Sequence, residues 1–283
     1  CEPIQSLLAP LKERLQATPE LRRKLFQLEF LSTLAGDTLV SLIYHRPLEH
    51  AWEDAASQLA TEFGVAIVGR SRKQKLVIGR DYVTETLPIN GRDFRYRQYE
   101  QAFTQPNAVV NTRMIEWAID AAGVNASDLL ELYCGNGNFT LPLAGCFNHV
   151  IATELSKVST RAAQQNLADN DIRNVHIIRL AAEEVSLALA GDREFRRLAV
   201  LPKPLADYQL HTVFVDPPRA GLDDATVAMV SGFHRILYIS CNPETLANNV
   251  AALGASHRIK RFALFDQFPY TEHMECGVLL ERR

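Results

Sequence analysis

DLLELYCGNGNFTLPLA, residues 128–144, decides the fold. An apolar run too short for a helix carries one acid, Glu131, and stops at a loop holding Gly135 and Gly137. An apolar helical segment follows. Glycines at such a junction permit a tight turn and let a ligand approach the backbone closely.

Downstream, further buried strands are expected at 149–155, 174–180, 211–216 and 235–240, then at 259–268 and 275–282. Helical segments at 157–170, 181–191, 223–233 and 243–254 separate the first five strands, and a helix at 107–122 precedes the set. Apolar strands alternating with helices mean a parallel sheet covered on both faces. The last two strands have no helix between them, so a hairpin makes the final strand antiparallel. The expected class is α/β: a Rossmann-like, mostly parallel seven-stranded sheet over 99–283.

Residues 1–98 read differently. An amphipathic helix opens the chain, strands are expected at 24–34, 38–45, 65–71, 74–80 and 92–100, and a helix at 48–63. This suggests an antiparallel α+β sheet with one covered face and one free to bind RNA.

The chain has 283 residues, 47% hydrophobic and 22% charged, with a net charge of −3. No apolar run approaches the roughly 20 residues that span a bilayer, and no signal peptide is visible. The first residue is not Met, so an N-terminal part of the natural protein is expected to be missing. Cys1, Cys134, Cys146, Cys241 and Cys276 are widely spaced and form no C-x-x-C. That argues against a disulfide framework, zinc or an iron–sulfur cluster, and fits a reducing cytoplasm. Basic clusters at 22–24 (RRK) and 70–75 (RSRKQK) are candidates for phosphate contact, although a solvated surface explains them as well.

A second acid, Glu154, ends the next strand about 20 residues beyond the first, where a ribose-binding carboxylate belongs. Thr140 replaces the third glycine of a dinucleotide fingerprint. An acid shortly before G-x-G fits S-adenosylmethionine better than a dinucleotide, which stays open as an alternative. Glycines serving only the strand–helix turn would explain the loop without any ligand.

VDPPRAGL (215–222) ends the fourth strand of the parallel set with Asp216, then two stiffening prolines and Arg219. Amino-directed methyltransferases carry an aromatic residue where this chain has Arg219, which suits a phosphate or base carbonyl. RILYISCNPETL (235–246) brings Cys241 off the following strand at the same edge. A buried Cys is usually a small hydrophobe. At a sheet edge where substrate lies, a thiolate is a nucleophile. Such a thiolate adds to C6 of uracil and enriches C5, which then takes a methyl group, and a base must remove the C5 proton. In FPYTEHMECGVLLER (268–282), Glu275 is the candidate base and His273 a competitor. Strand alternation forbids Glu275 and Cys276 from facing the substrate together. In FTQPN (103–107), Asn107 starts a helix and Gln105 is a candidate for the cofactor carboxylate or amine.

Together FTQPN, LELYCGNGNF, VDPPRAGLD, YISCNPETL and FPYTEHMECGVLL resemble the RNA uracil-5-methyltransferases over roughly residues 20–283. They are most similar to the tRNA (uracil-5-)-methyltransferase branch, which modifies the T-loop uridine, conventionally position 54. The resemblance implies S-adenosylmethionine as cofactor, bound by Gln105, Tyr133, Asn138, Glu154 and Asp216. It makes Cys241 the nucleophile, Glu275 the proton acceptor and Arg219 an RNA contact. The T-arm of tRNA is the implied partner, with no metal, no membrane and a monomeric chain. The start is short relative to the family. The iron–sulfur cysteines and small barrel of some ribosomal-RNA members are missing, which favours tRNA. An rRNA uracil-5-methyltransferase, a non-catalytic RNA-binding or folding module and an N-directed methyltransferase are the alternatives.

Overall fold

The computed structural model describes residues 2–283, so Cys1 lies outside the described residues. The chain divides into two compact units. One takes the chain up to Thr86 together with Arg95–Ala102; the other takes Leu87–Phe94 and Phe103–Arg283.

The first unit runs α1 (Glu2–Ala17), α2 (Pro19–Arg22), β1 (Leu25–Ser32), β2 (Thr38–Tyr44), α3 (His50–Phe63), β3 (Ala66–Ser71) and β4 (Gln74–Ile78), with sheet order β1-β2-β3-β4. Leu7, Leu11 and Leu15 recur every fourth residue on α1 and bury one stripe. They join Trp52, Ala56 and Leu59 of α3 over Val40, Leu42 and Tyr44 of β2. Two expectations need correction. The sheet is mixed, because α3 crosses over between β2 and β3 and returns the chain parallel. Nor is the opposite face of β2 and β3 free, since Leu39, Ala66 and Val68 are buried there with Val83.

The basic run at 70–75 is partly spent inside the fold. Arg70 donates to Glu100 at 2.6 Å, and Lys75 lies 2.7 Å from Asp81 and 3.5 Å from Glu100. Arg72 and Lys73, at the β3–β4 turn, are exposed.

The unit boundary crosses a hairpin of β5 (Tyr82–Ile89) and β6 (Arg92–Tyr99). β5 is a strand the sequence reading did not anticipate. Its turn, Asn90-Gly91, has both residues at positive φ, 46° and 78°, the pairing that type I′ hairpins require.

The second unit continues with α4 (Ala108–Ala122), β7 (Asp128–Leu132), α5 (Thr140–Leu143), β8 (Val150–Thr153), α6 (Lys157–Asp169), β9 (Val175–Ile178), α7 (Ala182–Ala190), β10 (Leu210–Val215), α8 (Asp224–Val230), β11 (Arg235–Ser240), α9 (Pro243–Leu253), β12 (His257–Phe265) and β13 (Glu275–Arg282). Its seven-stranded sheet has the order β12-β13-β11-β10-β7-β8-β9. Only β13 runs against its neighbours, being antiparallel to both β11 and β12. The Rossmann-like α/β sheet with an antiparallel final strand is therefore present. Strand order reverses at β7, which pairs with β8 on one side and β10 on the other. Crevices at such reversals, beyond the carboxyl ends of the strands, hold ligands.

Leu130, Leu132, Val213, Val215, Ile236 and Tyr238 face one buried core with Val185, Val230, Leu246 and Leu253 of the helices. On the other face Phe139 packs on Phe214, ring centroids 4.9 Å apart. Gly277 of β13 has no room for a side chain: a Cβ there would stand 2.6 Å from the Trp117 ring of α4. No helix among the described residues is long and apolar enough to cross a membrane. Among them, no cluster of His, Cys, Asp or Glu could hold a metal ion.

Candidate active site

Register brings the predicted residues to one edge. Leu132 pairs with Thr153 and with Val215. One residue further on, Tyr133, Glu154 and Asp216 therefore leave their strands side by side. Ser240 of β11 pairs with Cys276 of β13. The next step sets Cys241 across from Glu275, and residues facing one another across antiparallel strands have Cβ atoms about 5 Å apart. Cys276 packs into the helix-covered core with Tyr238 and Val278, so alternation turns Glu275 to the other face.

The loop after β7 is built for close approach. Tyr133, Gly135 and Gly137 take positive φ of 60°, 57° and 89°. Glu154 closes the loop: its Oε2 accepts from Gly135 N at 3.0 Å and its Oε1 from Ser156 N at 2.6 Å. Each oxygen keeps a lone pair for a diol. Asn138 exchanges two hydrogen bonds with Asn111 of α4, at 2.8 and 2.9 Å. Gln105 accepts at Oε1 from Gln267 Nε2 at 2.8 Å. Neither Asn111 nor Gln267 was anticipated, because a lone amide carries no spacing signal.

The loops bearing Arg219 and Cys241 are laced together. Asn242 caps α9 by accepting from Glu244 N and donates to the Arg219 carbonyl at 3.1 Å. Arg219 is exposed and reaches His273 Nδ1 at 3.2 Å, which occupies that nitrogen's lone pair. Asn249 accepts from Leu222 N and from Tyr238 Oη, fixing the end of the Asp-Pro-Pro loop to β11. Gly221 is required there: a Cβ would lie 2.8 Å from Asn249 Oδ1, and φ is +77°.

The electrostatics point to a cationic guest. Burial pushes Glu131 up to about 8, with the nearby Thr140 hydroxyl opposing the rise and Asp216 adding to it. Burial and then the Glu275 charge push Asp216 up to about 8. Burial alone pushes Glu275, 2% exposed, up to about 7. The Cys241 thiol is raised by burial, then by Glu275 and Asp216, while Arg219 pulls it down. Glu131 Oε2 is buried without a partner. Buried acids that raise one another's pKa are relieved by positive charge. A sulfonium and an ammonium supply it; a pyrophosphate would add to the repulsion. The residues present thus fit S-adenosylmethionine.

The family model described as tRNA (Uracil-5-)-methyltransferase matches residues 1–283. The chain belongs to that family. It is 58% identical over 282 residues to the tRNA/tmRNA (uracil-C(5))-methyltransferase of Pseudomonas syringae, covering 100% of this chain and 78% of that protein. It is 60% identical over 280 residues to the protein of the same name from Pseudomonas paraeruginosa, covering 99% and 76%. Among solved structures it is similar to the Pyrococcus abyssi tRNA (uracil-54, C5)-methyltransferase in complex with S-adenosyl-L-homocysteine. There the TM-score is 0.69 at 22% identity, over 95% of this chain and 65% of that one. The likeness to that structure is one of fold; by sequence the chain is a member of the tRNA (uracil-5-)-methyltransferase family.

Proposed function

We propose that this chain methylates C5 of the T-loop uridine of tRNA, with S-adenosylmethionine as donor, through a covalent bond between Cys241 and C6 of the base. One observation carries the reading: the β11–β13 register brings Cys241, one residue past Ser240, level with Glu275, one residue before Cys276. A nucleophile and a base at one strand end are what addition to C6 and proton removal from C5 require.

When bound, S-adenosylmethionine supplies an electrophilic methyl group. The Cys241 thiolate adds to C6, and the C5=C6 electron pair moves onto C5 and O4. C5 then takes the methyl group. Glu275 accepts the C5 proton, a task its pKa of about 7 suits. The released pair re-forms C5=C6 and expels Cys241. His273 is the weaker base candidate, since its Nδ1 is held by Arg219. Arg219, next to the thiol and exposed, is proposed to hold RNA phosphate or a base carbonyl and to favour the thiolate. Gln105, Tyr133, Asn138, Glu154 and Asp216 are proposed to hold the cofactor. The target base must leave the stack to reach such a site. The first unit is proposed to hold the T-arm, with Arg72 and Lys73 available for phosphate.

The test is methyl transfer from labelled S-adenosylmethionine to tRNA and to rRNA. Label on tRNA, lost when the T-loop uridine is replaced by cytidine, supports the reading. Label on rRNA alone, or label that survives the replacement, overturns it.

A further inference from the structure

Gln267 lies two residues past the end of β12 and is 2% exposed. Its backbone N–H donates to Phe265 O, and Phe265 pairs with Glu275 in the sheet. Its side chain is thereby anchored next to the strand that carries the candidate base. From there it donates Nε2–H to Gln105 Oε1 at 2.8 Å, across 162 residues of sequence. Its own Oε1 is enclosed and has no partner.

We infer that Gln267 is a positioning residue that sets the polarity of Gln105. A primary amide offers one acceptor and one donor end, and which end faces outward decides what it binds. With Oε1 of Gln105 engaged by Gln267, Gln105 presents its Nε2–H donors. The group it holds is then an acceptor oxygen and not an ammonium. The opposite pairing would enclose the Gln267 NH2 in place of the Gln267 oxygen. Enclosed orphan N–H groups are rarer than under-satisfied carbonyls, because a carbonyl loses only lone-pair contacts while the NH2 strands two donors. The recorded orientation is thus the favoured one. Two oxygens meet the requirement: the carboxylate of S-adenosylmethionine and a carbonyl of the uracil ring. The inference rests on the proposed reaction only for that pair of ligands.

The discriminating variant is Gln267→Glu. It keeps the shape and, in titrations run at alkaline pH so that the buried carboxyl is ionised, can only accept. Gln105 must then turn its donors toward the new carboxylate and show its oxygen to the ligand. Binding is measured directly, by titration with S-adenosylhomocysteine and, separately, with a T-arm RNA hairpin. One affinity is expected to fall about 10- to 100-fold while the other moves less than about threefold. Loss of S-adenosylhomocysteine binding identifies the carboxylate; loss of RNA binding identifies the base carbonyl. Gln267→Leu frees Gln105 without reversing it and is expected to lose less than Gln267→Glu. In a Gln105→Leu background, Gln267→Glu is expected to add nothing, which a packing defect would not reproduce. Unchanged affinities, equal losses in both, a larger loss for Gln267→Leu, or a loss that persists without Gln105 would each overturn the inference. Binding without methyl transfer by the unsubstituted chain would instead sink the proposed reaction and leave the polarity result readable.

Discussion

Glu131 makes a sharp prediction about pH. Its carboxyl is 1% exposed, one oxygen has no partner, and its pKa rises from an ordinary 4.5 to about 8. A folded-state pKa above the unfolded one means that the folded chain binds the extra proton. The stabilisation is complete below the unfolded pKa and drains away as pH rises through the folded one. Between about pH 5.5 and about pH 8.5 the loss through this one group comes to ~3 kcal/mol, at 1.36 kcal/mol per pH unit over most of the interval. For a unit of this size that corresponds to roughly 6–12 °C in Tm. Glu131→Gln keeps the shape and cannot ionise. Thermal unfolding of both proteins without ligand, across that pH range, is the assay. The unsubstituted chain is expected to lose that much more Tm toward alkaline pH than the variant does. Asp216 and Glu275 titrate in both proteins, so their contributions largely cancel in the difference. Parallel Tm profiles would refute the buried-acid account of this edge.

Other substitutions probe the remaining parts. Glu275→Gln leaves the nucleophile but removes the base. Turnover is expected to fall by about two to four orders of magnitude, and a covalent protein–RNA species should accumulate on denaturing gels. Asn111→Asp can no longer donate to Asn138 Oδ1. Titration is expected to show S-adenosylhomocysteine binding weakened about tenfold, with kcat at saturation nearly unchanged. Gly277→Ala forces a Cβ into the Trp117 ring. Urea unfolding should report a loss of about 1–3 kcal/mol, and activity should fall with it because β13 carries Glu275.

The catalytic unit was legible because its signals are periodic. The five strand–helix alternations, the glycine loop and the acids at strand ends each follow from backbone geometry. They gave the sheet, its antiparallel last strand and the edge at which Tyr133, Glu154, Asp216, Cys241 and Glu275 leave their strands. What failed lay in the first hundred residues. β5 is missing from the sequence expectation, although the Asn90-Gly91 turn after YVTETLPI announces a hairpin. The antiparallel expectation overlooks that a helix between two strands serves as a crossover and returns the chain parallel. For the run RSRKQK, open to reading as a phosphate contact or as a solvated face, neither alternative foresees that Glu100, 30 residues from Arg70, captures it. Asn111 and Gln267 were invisible for a related reason. Each acts on an amide 27 or 162 residues away, and only the folded chain brings such pairs together.

Covalent trapping tests the central claim most directly. T-arm RNA with 5-fluorouridine in place of the target uridine carries fluorine where Glu275 would take a proton, so the adduct cannot resolve. Incubation with S-adenosylmethionine is predicted to give a denaturation-resistant complex whose RNA-bearing peptide contains Cys241, and Cys241→Ala should abolish it while still binding S-adenosylhomocysteine. A complex attached at any other residue, or methyl transfer undiminished in Cys241→Ala, would contradict the account.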